Sequence, residues 1–114
     1  MSINRIDVGP RMSGAVVHNN TVYLSGQVGN AGDSVADQTK TILGKIDALL
    51  EKAGTSKKNA IKGEIWLSDM AYFEEMNGVW DAWVVEGNTP ARCCGESKLA
   101  APGFYVEIMI TASV

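Results

Sequence analysis

The chain has 114 residues, enough for one compact domain with its own core, expected to span 1–114. Ten basic against thirteen acidic residues give a net charge of −3, and the only basic cluster, Lys57-Lys58 with Lys62, reads as a solvated turn, which argues against nucleic acid as a partner. One histidine and two adjacent cysteines, without CxxC or HxxxH spacing, disfavour a metal site. MSINRIDVGP lacks a secretory signal and no stretch is long and apolar enough to span a membrane, so a reducing cytoplasm is expected.

In chain order, GAVVHNNTVYLSG (residues 14–26) reads as a hairpin, because Asn19-Asn20 tolerate the positive φ of a tight turn. Over 33–53, Val35, Thr39, Ile42, Ile46, Leu49, Leu50 and Ala53 recur near helical spacing; Asp33 or Ser34 can cap the start and Gly54 the end. AIKGEIWLS (60–68) reads as a strand. A second helix is expected over 69–85, with Met70, Phe73, Met76, Asn77, Trp80 and Val84 on one side and Gly87 at the exit. A loop over 86–90 leads to a strand over 91–99, Pro102-Gly103 turn the chain, and a last strand covers 104–113. Two helices on one face of a mostly antiparallel sheet make an α+β fold. His18 and the three tryptophans read as turn, core or interface residues.

The last strand places Val106, Ile108, Ile110 and Ala112 on one face and Tyr105, Glu107, Met109 and Thr111 on the other. The first face suits the helices. The second is too apolar to be simply wet, and no further element remains to cover it, so another subunit is expected there.

NTPARCC (88–94) is the stretch with the most chemical potential. Strand alternation puts Arg92 and Cys94 on one face and Cys93 on the other, which also keeps the neighbouring thiols from bridging. If the Arg92 face is also that of Glu107, two readings stand. The pair is a structural ion pair, or Arg92 offers its planar fork to a ligand carboxylate while Glu107 holds or deprotonates a water. Cys94 by itself reads as a small buried filler. LSGQVG (24–29) is a glycine-bearing turn with Ser25 and Gln27 as hydrogen-bonding groups, and it has no phosphate-loop lysine. GPRMS (9–13) adds a second arginine, Arg11.

Taken together, GP near residue 10, VYLSGQVG at 22–29, IWLSDM…F…MN..W at 65–80 and NTPARCCGESKLAAPGFYVEI at 88–108 resemble the RidA (YjgF/YER057c/UK114) family of enamine/imine deaminases over nearly the whole chain. The most specific part is P-A-R followed about fifteen residues later by V-E-I. The resemblance implies a chorismate-mutase-like α+β fold, a homotrimer with pockets at subunit boundaries, no cofactor, and hydrolysis of 2-imino and 2-enamino acids to 2-keto acids and ammonia. It implies that Arg92 grips the substrate carboxylate, that Glu107 and the main-chain carbonyl of Cys94 hold the attacking water, and that Ser25 and Gly26 line the pocket. Arg11 stands where the best-characterised branch has an aromatic residue, and Cys93 where a small serine is usual, so the chain resembles a divergent branch in which Arg11 adds a cation to the substrate-binding rim. Two functions follow from the same pocket: an imine deaminase, or a non-catalytic binder of small carboxylates. A ribonuclease reading is disfavoured by the acidic charge and by the lack of a histidine pair.

Overall fold

A computed structural model describes residues 2–114. Its strands are β1 (Asn4–Val8), β2 (Ser13–His18), β3 (Thr21–Leu24), β4 (Gln27–Val28), β5 (Ala60–Leu67), β6 (Ala91–Glu96) and β7 (Val106–Ser113), and its helices are α1 (Val35–Lys52) and α2 (Phe73–Trp83). They form one sheet in the order β1-β2-β3-β7-β5-β6, with β4 also pairing β7. Every pairing is antiparallel except β5 with β6, which are joined through α2 as a parallel crossover. This is the expected α+β class.

Local chemistry explains most element ends. Asn19 and Asn20 adopt φ of 53° and 62°, the twisted two-residue turn that joins β2 to β3. Ser34 caps α1 by accepting from the Asp37 N–H at 3.1 Å. At the other end Gly54, at φ 84°, closes the helix as Thr55 N–H reaches the Leu50 carbonyl and Gly54 N–H that of Glu51. The expected helix over 69–85 starts later. Asp69 accepts from Ala71 N–H at 2.8 Å and caps a separate single turn, Met70–Tyr72, so Met70 lies outside the buried stripe and is exposed. Met76, Trp80 and Trp83 fill that stripe instead.

The core lies between the helices and one face of the sheet. Ile42, Ile46 and Leu50 of α1 and Met76 of α2 pack on Val22, Ile65, Leu67, Val106, Ile108 and Ile110, all essentially inaccessible to water. Each such side chain contributes about 1.5–3 kcal/mol through burial. Gln38 is buried among them with its polar atoms satisfied: its amide donates to the carbonyls of Asp33 and Gly103, and its oxygen accepts from Tyr105 N–H at 2.9 Å. It fastens the start of α1 to the loop that enters β7.

The opposite sheet face carries no element. Val16, Tyr23 and Thr111 share it with Lys62, Glu64, Trp66, Cys93, Glu107 and Met109. Tyr23 is 52% exposed and Trp66 39%. The expected apolar second face is therefore there, interleaved with charge; Lys62 lies within β5 in a 2.8 Å ion pair with Glu64, and only Lys57-Lys58 belong to the turn read from the sequence.

Candidate functional site

Arg92 is the second residue of the edge strand β6, and Pro90 stands just before that strand, where a missing N–H disturbs no ladder. Across β5 its register partner is Gly63, and a Cβ there would stand 3.0 Å from the Trp80 ring. The absence of that side chain lets Trp80 lie against the sheet. The Arg92 guanidinium then rests over two aromatic faces of α2, 5.4 Å from the Trp80 ring centre and 5.7 Å from that of Phe73. Its Nη1 donates to Asn77 Oδ1 at 2.8 Å. Phe73, Asn77 and Trp80 follow one another at helical spacing, so one stripe of α2 orients the group from behind while Arg92 itself stays exposed. In the sequence these three read as helix packing only; their spacing toward an edge strand is the signal that they form a shelf.

Cys94 shares this face and packs against the core beside Ile65. Its partial burial pushes the thiol pKa up, against the pull of the Arg92 charge, so the sulfur stays protonated at neutral pH. Cys93 points to the open face next to Glu64 and is exposed.

Glu107 is built differently. Between Tyr23↔Thr111 and Gln27↔Ile108 the β3–β4 side advances four residues while β7 advances three. Ser25 and Gly26 thus form a bulge opposite β7, a device that re-aims the chain locally. Ser25 is held there by its N–H to the Gly14 carbonyl at 2.9 Å and by its hydroxyl to the Ser13 carbonyl. A Cβ on Gly26 would fall on the Glu107 carboxylate, so the missing side chain is the space that the carboxylate occupies. Glu107 is half-buried on the open face, flanked in register by Val28 and Trp66.

Ser25, Gly26 and Glu107 therefore come together, as do Arg92 and Cys94, but the two groups do not meet. Arg92 aligns through Gly63 with Ile110, on the helix-bearing face, whereas Glu107 looks to the open face three residues further along β7. The Cα positions differ by about 10 Å across the strands and about 10 Å along them. The expectation of a shared face fails, and with it an Arg92–Glu107 ion pair within one chain. The reason is the β5–β6 register, which turns Arg92 and Cys94 toward α2. Arg11 lies at the exposed tip between β1 and β2. Among the described residues no cluster of three or more His, Cys, Asp or Glu side chains has metal-binding geometry, and no helix is long and apolar enough to cross a membrane.

Helices on one face of a largely antiparallel sheet, with a bulge-held carboxylate on the other and a shelved arginine at its edge, define a small α+β protein. The chain belongs to the YjgF/RidA family: the family model described as endoribonuclease L-PSP matches residues 2–114. It is 44% identical over 114 residues to the RutC family protein YoaB of Escherichia coli (strain K12), covering 100% of both chains. A YjgF family member from Neisseria meningitidis has the same fold at a TM-score of 0.97, with 46% identity over 99% of this chain and 95% of that one. A 2-iminobutanoate/2-iminopropanoate deaminase of Rattus norvegicus is 30% identical over 103 residues, 84% of this chain and 74% of the rat protein.

Proposed function

We propose that the protein hydrolyses reactive 2-imino acids, and 2-enamino acids once tautomerised to imines, to 2-keto acids and ammonia, in pockets between the subunits of a homotrimer. The observation that carries this reading is the pair of half-sites: a guanidinium oriented by Asn77, Phe73 and Trp80 at an exposed sheet edge, and a carboxylate set in the Gly26 gap on the opposite face. Neither is complete within one chain. An edge meeting the open face of a second copy would bring them together and would cover Tyr23 and Trp66. The name of the rat relative supports the reaction class.

In this pocket Arg92 of one subunit grips the substrate carboxylate through its free N–H edge. Glu107 of the next subunit orients a water, with help from the Cys94 main-chain carbonyl, while Ser25 and Gly26 line the wall. The protonated imine carbon is already electrophilic. Water oxygen bonds to it as Glu107 takes one water proton, giving a carbinolamine. Glu107 then returns that proton to the amino nitrogen; the C–N bond breaks and ammonia leaves as the hydroxyl gives its proton to Glu107, forming the ketone, and Glu107 releases that proton to solvent. Positioning and a base suffice for this sequence.

An amino-acid oxidase that generates imines in situ provides the test. Keto-acid release should quicken in proportion to added protein. Stabilisation by keto acids without any acceleration would mark a carboxylate-binding protein instead.

A further inference from the structure

We infer that Arg11 is a specificity residue that takes a second anionic group, so that the site prefers dicarboxylic over monocarboxylic substrates. This rests on the proposed deaminase pocket and extends it to a substrate class. Pro10 and Arg11 are the two loop residues of a tight β1–β2 turn closed by Gly9 N–H to the Met12 carbonyl at 2.9 Å. Pro10 fixes its own φ, so Arg11 is presented from a stiff tip. The strand leaving that tip is the one stitched to Ser25: Ser13 and Gly14 both accept from Ser25, which precedes the Gly26 gap holding Glu107. Arg11 thus stands two residues from a carbonyl bonded to the Glu107 half-site.

The tip is not an ordinary wet turn. Val8 and Met12 flank it with 68% and 57% of their surface exposed, an apolar collar around one cation. Asp7, the nearest acid in sequence, is already engaged by Lys52 at 2.9 Å. Among the described residues Arg11 has no ion-pair or hydrogen-bond partner. The register through β3 puts this tip at the same end of the sheet as Glu107; with Arg92 of the neighbouring subunit holding the first carboxylate, Arg11 offers a second planar fork at that end. A substrate with carboxylates at both ends satisfies both forks; one with an apolar end leaves Arg11 unpaired.

The experiment compares wild type with Arg11→Gln and Arg11→Lys. The readouts are the ratio of kcat/KM for the imine of glutamate over that of norvaline, and the ratio of affinities for 2-oxoglutarate over 2-oxopentanoate. Both ratios should favour the dicarboxylic member in wild type and fall about tenfold or more in Arg11→Gln, the worth of one charge-assisted hydrogen bond, with partial recovery in Arg11→Lys. Equal ratios in wild type and Arg11→Gln would overturn the inference. If no imine is turned over, the deaminase reading fails, while the affinity ratio still decides the role of Arg11.

Discussion

Arg92 and Glu107 of one chain face away from each other through the same sheet. The parallel register that pairs Arg92 with Gly63 turns its side chain toward α2, and the pairing of Glu107 with Trp66 turns the carboxylate to the open face. No rotamer change brings the two together, because the backbone of the sheet stands between them. A site that uses both must draw them from different copies.

The Arg92 guanidinium is pre-oriented by one hydrogen bond and two aromatic faces. Arg92→Ala should lower kcat/KM by roughly 10- to 150-fold, on the about 1.5–3 kcal/mol of a hydrogen bond to a charged group, and Arg92→Lys should recover little of it. Asn77→Ala leaves the charge but frees its orientation, so KM should rise roughly 3- to 10-fold, on about 1 kcal/mol for one hydrogen bond, with kcat less affected. Steady-state kinetics on the three variants distinguish grip from orientation; equal losses of kcat alone would argue against a carboxylate-binding role.

The placement of the Glu107 carboxylate depends on an empty Cβ position at Gly26. Gly26→Ala would press on the Glu107 carboxyl group, the movable end of a side chain, so the fold should persist while the acid shifts. Glu107→Gln keeps the shape but removes the base and should lower kcat about 100-fold or more, with ligand affinity largely kept. Gly26→Ala should lower kcat in the same direction by a smaller factor. Unchanged kcat in Glu107→Gln would leave the acid a structural role only.

Much of this architecture is legible in the residues, and the rest depends on long-range pairing. Val106, Ile108, Ile110 and Ala112 reveal the buried side of β7 by alternation, and Asn19-Asn20 reveal the hairpin. Strand β1 escapes notice because only Ile6 of Asn4–Val8 packs on the core, leaving no apolar pattern to read. The two-residue β4 escapes for its brevity, and Met70 imitates a helix position although Asp69 caps a separate turn before α2. Arg92, Cys94 and Glu107 stand out in the sequence as candidates, and the alternation within β6 is read correctly. Which side of the sheet β6 turns toward α2 is fixed only by its partner β5, about thirty residues away, and no local pattern encodes that.

Gln38 carries a stability prediction independent of function. Its side chain satisfies two carbonyls and one N–H inside the core, joining the start of α1 to residues 103–105. Gln38→Leu has a suitable size but leaves those groups without partners, and should cost about 2–4 kcal/mol in urea unfolding. A loss below about 0.5 kcal/mol would mean that water replaces the amide without penalty.

The most direct test of the shared site is complementation between two impaired variants. Arg92→Ala and Glu107→Gln are each purified, unfolded, mixed in equal amounts and refolded together. If each pocket takes Arg92 from one subunit and Glu107 from the next, random assembly restores about one quarter of the pockets with both residues intact, and about one quarter of wild-type imine hydrolysis should return. Activity that stays at the level of the separately refolded variants would contradict a site shared between subunits.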